Sequence, residues 1–301
     1  MTNNPQPYIE DVETGDNWTL MLGDSCERLH ELDDDSIDFS VYSPPFASLF
    51  TYSPSDRDLG NSRNRDEFHE HYGYIVRELL RVVKPGRLVA VHCQQIATQK
   101  WKDGNIGLSD FRGELIRAHL ENGWIFHGEV TIDKDPQAQA IRTKATALMF
   151  VTLNKDSSMS RPALADYLLM FRKPGDNEVP IKPECDNDTW IQWARPVWYD
   201  IRESDTLNTG EAREADDERH ICPLQLGLIE RAVKLWSNRD DLVLSPFAGI
   251  GSEGYEAVKA GRRFVGCELK PSYWATACKN LRRAEEIVNM PTLFDEVEAA
   301  V

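Results

Sequence analysis

The sequence predicts an α/β domain with a doubly wound, mostly parallel sheet and one irregular insert. Three observations carry this. Short apolar runs alternate with stretches of helical periodicity along most of the 301 residues, the pattern of strands joined by covering helices. One such run ends in a rigid corner, Ser43-Pro44-Pro45-Phe46. Another ends in a glycine turn, Gly249-Ile250-Gly251, that opens directly into a helix.

Taken in order, residues 1–17 are polar and read as a loose arm, without the basic and apolar stretches of a signal peptide. Residues 18–22 read as a short strand ending in Gly23-Asp24, and 26–32 as one or two helical turns. Residues 38–42 form the strand before Ser43. Residues 47–66 are polar and aperiodic, a long loop read as a lid that orders on substrate. Apolar residues at 68, 72, 75, 76, 79, 80 and 83 keep helical spacing, so 68–83 is an amphipathic helix, stopped by Lys84-Pro85-Gly86. Residues 87–92 are apolar on both faces, as a buried strand is.

A polar connection over 94–110 leads to a helix at 111–122 and a strand at 124–132. Residues 133–165 show a charged loop and an apolar segment at 145–153 without a clear period. Residues 166–172 read as a strand closed by Lys173-Pro174-Gly175. The insert spans 174–219 and is rich in Pro, Asp, Asn and Trp; Trp190, Trp193 and Trp198 are expected to pack a small core of its own, with DNA contact the alternative. A helix at 223–236, a strand at 242–244, a helix near 252–260, a strand at 263–267 and a last helix at 272–288 complete the pattern. Residues 291–301 are an acidic tail.

The two corners carry the chemistry. Pro44 and Pro45 fix φ and remove two backbone donors, so the carbonyls there are held in place and free of ladder bonds. Ser43 adds an accepting hydroxyl and Phe46 a flat apolar face. Fixed acceptors beside a stacking ring suit a planar base that carries an exocyclic amine. At the second corner, Gly249, Gly251 and Gly254 have the G-x-G-x-x-G spacing in a strand–turn–helix context. Glu268 closes the next strand, where a carboxylate can hold ribose hydroxyls.

A dinucleotide or S-adenosylmethionine would fit such a turn. A nicotinamide enzyme usually spends two strand–helix halves on its cofactor, and only one follows here. The other strands must then come from earlier in the chain. The Ser43 corner would lie on a neighbouring strand of one sheet, with both corners at the carboxyl ends where ligands bind.

Bulk properties narrow the field. The net charge of −16 argues against a broad surface that coats nucleic acid, while leaving room for a local basic cleft. The six cysteines form no CxxC pair and no histidine cluster has zinc spacing, which predicts a reduced, cytoplasmic protein without a metal. Cys93 and Cys267 sit in apolar runs and read as core residues. No apolar run is long enough to span a membrane.

Together these residues resemble the beta class of DNA amino-methyltransferases, which modify cytosine N4 or adenine N6. That class places (Asp/Asn/Ser)-Pro-Pro-(Tyr/Phe) before its glycine motif. Here Ser43-Pro44-Pro45-Phe46 precedes Phe247-Ala248-Gly249-Ile250-Gly251 in the same order. Gly23-Asp24 matches the segment that meets the cofactor's adenine side, and Glu268 matches the ribose-binding acid. Cys222-Pro223-Leu224, with Leu228 and Ile229, matches a further cofactor-binding segment.

The resemblance implies a Rossmann-like methyltransferase fold and S-adenosylmethionine as cofactor. It implies a catalytic domain over 18–173 and 220–290, with 174–219 as an inserted target-recognition region. Double-stranded DNA is the implied substrate. A companion restriction endonuclease stays open, as does monomer against homodimer. Ser43 at the first motif position resembles members that act on the cytosine amine. Ser43 Oγ and the Pro44 carbonyl would accept the two amine hydrogens and Phe46 would stack on the base. Cys26 is read as structural. Arg57, Arg63, Arg65, Lys134, Arg142 and Lys144 are candidate DNA contacts. Adenine N6 remains the alternative base. An RNA or release-factor methyltransferase usually has the opposite motif order. A nicotinamide dehydrogenase leaves the Ser43 corner unexplained, and no acid–base histidine is evident beside either motif. A DNA-binding module without catalysis is the last alternative, against which two intact motifs count.

Overall fold

The structure, a computed structural model, describes residues 9–45, 65–98, 104–143, 146–208 and 223–290. Strand β1 (Asp11–Thr14) pairs antiparallel with β2 (Trp18–Leu22). A short helix α1 (Ser25–Arg28) leads to β3 (Ile37–Tyr42), and α2 (Arg65–Val82) to β4 (Val83–Gln94). A small hairpin, β5 (Ile96–Ala97) with β6 (Leu108–Ser109), precedes α3 (Phe111–Glu121) and β7 (Ile125–Ile132). Helices α4 (Pro136–Thr143) and α5 (Phe150–Lys155) come before β8 (Asp166–Arg172). Then follow α6 (Asn187–Trp193), β9 (Val197–Trp198), α7 (Leu226–Trp236), β10 (Leu242–Ser245), α8 (Ser252–Lys259), β11 (Arg263–Glu268) and α9 (Pro271–Asn289).

Nine strands form one sheet in the order β1-β2-β11-β10-β3-β4-β8-β7-β9. The run from β2 through β11, β10 and β3 to β4 is parallel throughout; β8 runs against β4 and β7. Period-2 alternation splits the core between the two faces. Phe39, Val41, Leu88, Ala90, Val130, Ile132 and Leu168 face α7, α8 and α9. Tyr42, Val89, Val91, Cys93 and Leu169 face α2 and α3 through Phe68, Tyr72, Ile75, Phe111 and Leu115. With both faces covered, the central strands carry apolar residues on both sides.

The late unit β10–α8–β11 lies inside the sheet, between β2 and β3. At the amino ends of these strands an ion cluster ties three of them together. Arg87, 2% exposed, reaches Asp241 at 3.0 Å and Asp38 at 3.4 Å, while Lys84 donates to Asp38 at 2.6 Å.

Helix α8 packs on the sheet without a side chain at Gly254. A Cβ there would sit 2.5 Å from Phe264 and 2.6 Å from Leu281. Gly254→Val is therefore expected to cost about 1–3 kcal/mol through overpacking, read as a lower urea midpoint with an unchanged slope.

Several expectations need correction. The loose arm expected over 1–17 contains β1, held by the Glu13–Arg282 ion pair and by Arg28 donating to the Asp11 carbonyl. The insert at 174–219, expected to be irregular, supplies α6 and β9, and β9 extends the main sheet beside β7. Trp198 is not part of a separate small core. It is buried in the main core, with the Arg231 guanidinium 4.6 Å above its ring, while Trp190 is exposed. The proposed lid at 47–66 lies almost wholly outside the described residues, which resume with α2 at Arg65.

Candidate active site

Both corners open at the carboxyl ends of adjacent parallel strands. Val243 pairs with Phe39 and Leu244 with Ser40, so β10 lies directly beside β3. The glycine turn leaves β10 and the Ser43 corner leaves β3 at the same sheet edge. Asp24 after β2 and Glu268 at the end of β11 stand along that edge too.

The turn after β10 is stitched by short bonds. Ala248 N–H donates to the Cys267 carbonyl at 2.8 Å, and Gly251 N–H to the Ala248 carbonyl at 2.7 Å. Glu268 takes Gly249 N–H on one carboxylate oxygen and Lys270 N–H on the other, each at 2.8 Å. Gly23 N–H donates to the Glu268 carbonyl at 2.9 Å, and Ser25 Oγ donates to the Pro246 carbonyl. Asp24 caps α1 by accepting from Cys26 N–H at 2.9 Å.

The glycines have separate tasks. Gly249 has φ +55°, and among the described residues a Cβ there would meet nothing within 4 Å. It is the position that leaves room for a ligand close to the backbone. Gly251, at φ +85°, begins α8, and its Cβ would meet Ala277 of α9 at 3.1 Å. Gly251 is thus a packing glycine rather than the open one. Phe247 is half-buried with its ring 5.7 Å from that of Tyr42, Ala248 is buried, and half-buried Pro223 precedes α7.

At the other corner Ser43 is half-buried, Pro44 buried and Pro45 half-buried; Phe46 lies outside the described residues. Ser43 Oγ is 3.2 Å from His92 Nδ1 and 3.3 Å from the His92 carbonyl. His92 Nε2 is 3.1 Å from Asp166 Oδ2, and the same oxygen is 2.6 Å from Lys134 Nζ. The other Asp166 oxygen accepts from Gln94 at 2.8 Å. Burial alone would raise the Asp166 pKa, but His92 and Lys134 hold it below the ordinary carboxylate value.

Two expectations change here. A histidine does stand beside the serine motif, contrary to the linear reading. Lys134 is not a surface DNA contact; its side chain is 1% exposed and paired with Asp166. The remaining candidate contacts Arg57, Arg63 and Lys144 fall outside the described residues, as do the side chains of Arg65 and Arg142.

The missed residues carry a weak signal in strand parity. Phe39, Val41 and Ser43 share one face of β3 and its extension, as do Leu88, Ala90 and His92 on β4. Val130, Ile132 and Lys134 continue that face from β7, and Asp166 precedes Leu168 on β8. Cys26 behaves as expected: burial, with Asp24 beside it, pushes its thiol up to about 12, leaving no thiolate nucleophile at neutral pH.

A family model described as DNA methylase matches residues 37–279. Type II methyltransferase M.BglI of Bacillus subtilis is 30% identical over 117 residues, which is 38% of this chain and only 30% of that protein. Type II methyltransferase M.MthZI of Methanothermobacter thermautotrophicus is 24% identical over 309 residues, covering 90% of this chain and 79% of that protein. Among solved structures, the cytosine-N4-specific PvuII DNA methyltransferase superposes with a TM-score of 0.65 at 20% identity, over 92% of this chain and 93% of that one.

Proposed function

This chain belongs to the DNA methylase family, and we propose that it transfers a methyl group from S-adenosylmethionine to the exocyclic amine of a base flipped out of duplex DNA, with cytosine N4 as the favoured target. One observation supports this above the others: the Ser43 corner and the Gly249 turn share a sheet edge on adjacent parallel strands. Two small molecules bound there would meet.

The residues present fit the cofactor. Gly249 leaves open space over the turn, and Glu268, which braces Gly249 and Lys270, stands at the strand end where a carboxylate can hold ribose hydroxyls. In this reading Phe247, Ala248 and Gly251 shape the wall of the site. Asp24 stands toward the adenine side and Pro223 closes it from α7. The cofactor supplies a methyl group activated on a sulfonium.

The chain's part is to hold the amine in line with that methyl, which converts an encounter into a unimolecular step. A base amine is a poor nucleophile because its lone pair is delocalised into the ring. Ser43 Oγ and the Pro44 carbonyl accept its two hydrogens, favour a pyramidal nitrogen and strengthen their hold as positive charge grows there. Phe46 stacks on the base. Taking that base from the duplex costs a few kcal/mol, which binding to the DNA has to offset. The reading places the enzyme in the cytoplasm with DNA, with or without a restriction partner. No helix of the described residues is long and apolar enough to cross a membrane.

Mass spectrometry of nucleosides from treated DNA tests the reading. N4-methylcytosine is the expected product. N6-methyladenine would correct the base, and no methylated nucleoside in DNA would overturn the assignment. Gly249→Trp is expected to weaken S-adenosylmethionine binding more than tenfold in calorimetry, because φ +55° disfavours a side chain and the indole fills the open space. Its unfolding free energy should fall by about 1–2 kcal/mol, the cost of a left-handed non-glycine residue, read from urea unfolding, and the protein should still fold.

A further inference from the structure

The Ser43 hydroxyl has two acceptors within reach, His92 Nδ1 at 3.2 Å and the His92 carbonyl at 3.3 Å. Both lie on β4, so its hydrogen turns toward β4. Behind the imidazole stands Asp166, itself nine-tenths buried, and Lys134 Nζ is 2.6 Å from the same carboxylate oxygen that faces the ring. Four polar side chains therefore meet at the ends of four neighbouring strands, with Ser43 just after β3, His92 on β4, Asp166 opening β8 and Lys134 just after β7. Nothing in the accepting role of Ser43 alone requires the last three. Burying an ion pair is costly unless it has a task or excellent partners.

We propose that His92 is the positioning base of this site, taking the Ser43 hydroxyl proton onto Nδ1 while Asp166 and Lys134 set its tautomer and its appetite for that proton. The inference rests on the methylation reading and adds a proton path to it. As the amine nitrogen gains a bond to the methyl carbon, the carbon–sulfur bond breaks and its electron pair stays on sulfur. The nitrogen then carries a positive charge and one surplus proton. That proton moves to Ser43 Oγ as the Ser43 hydroxyl proton moves to His92 Nδ1. The product is a neutral methylated amine, a restored serine and an imidazolium beside the Asp166 carboxylate. The imidazolium later returns its proton to solvent.

The geometry suits this sequence. A carboxylate 3.1 Å from Nε2 favours the proton on that nitrogen through its charge, and Nδ1 is then the nitrogen that faces Ser43 Oγ at 3.2 Å. Lys134 Nζ lies 2.6 Å from the same Asp166 oxygen, so the pair facing the ring carries no net charge. The charged side chains in contact within this cluster are Asp166 and Lys134. Arg112 and Glu129 stand on the opposite face of the sheet, around Cys93 and Tyr167.

The test combines kinetics with a spectroscopic reading of the wild-type chain. His92→Gln is expected to lower kcat about 10²-fold, with DNA KM and cofactor Kd unchanged, and to remove the acid limb of the kcat–pH profile. Asp166→Asn should move that limb to lower pH and Lys134→Gln to higher pH, opposite shifts that a packing role would not produce. Nitrogen-15 spectra of labelled wild-type protein should show His92 as the Nε2–H tautomer, with Nδ1 accepting from Ser43 and losing that bond in Ser43→Ala. A His92→Gln enzyme with wild-type kcat, or with its acid limb intact, overturns the proposal. An Nδ1–H tautomer in the wild type does so too, whether or not the charge variants fold. If the wild-type chain methylates no DNA, the parent reading fails, and the tautomer measurement judges the relay on its own.

Discussion

Ser43→Ala is expected to lower kcat for DNA methylation about 10²–10³-fold, the usual loss when one preorganised group facing developing charge is removed. The side chain sits where the amine gathers positive charge, so its contact strengthens toward the transition state and its loss appears in kcat rather than KM. Cofactor affinity should not change. The glycine turn, Glu268 and the Gly23 turn are braced by their own hydrogen bonds, and Ser43 takes part in none of these. Single-turnover transfer of labelled methyl, with calorimetry on the same preparation, separates the two quantities. Turnover equal to wild type would remove Ser43 from the chemistry and leave the proline corner a structural turn.

Arg87→Leu should be the most damaging change to the fold away from the site. Its guanidinium links Asp38 on β3 to Asp241 just before β10, while Arg87 itself belongs to β4. Leucine keeps much of the volume but strands two carboxylates near the amino end of the sheet. Breaking a buried ion pair in this way costs about 3–5 kcal/mol. The lower end is expected here because Lys84 still reaches Asp38 and Asn238 N–H still reaches Asp241. Urea unfolding followed by circular dichroism measures it. A midpoint within error of wild type would show that the cluster is dispensable.

The parts of this architecture that the sequence announces are those with a strong period or a forced backbone. Helix α2 shows its buried face as Phe68, Tyr72, Ile75, Val76, Leu79 and Val82, all fully covered. The glycine turn and the proline corner are legible because few residues tolerate those backbone states. Strand β1 is not legible, since Asp-Val-Glu-Thr has no apolar face. It forms because β2 would otherwise leave an unpaired edge and because Arg28 and Arg282 hold it there. The two residues of β9 are too few for any alternation to show. Residues 133–165 gave no period because α5 buries no face; Phe150, Val151 and Leu153 are all exposed. His92 escaped notice because its partners, Ser43 after β3 and Asp166 on β8, come from the two neighbouring strands, and only the assembled sheet brings them together.

The position of β10–α8–β11 between β2 and β3 has a consequence for how the chain is made. The ribosome delivers Trp18–Leu22 and Ile37–Tyr42 early, yet the strands that belong between them arrive some two hundred residues later. Until then the nascent chain holds two raw edges across a gap, the arrangement that invites pairing with other chains. The middle of the sheet closes last, by contacts of long sequence separation, which makes folding slow. A ribosome stalled before residue 242 would release a sticky half-sheet rather than a smaller working protein.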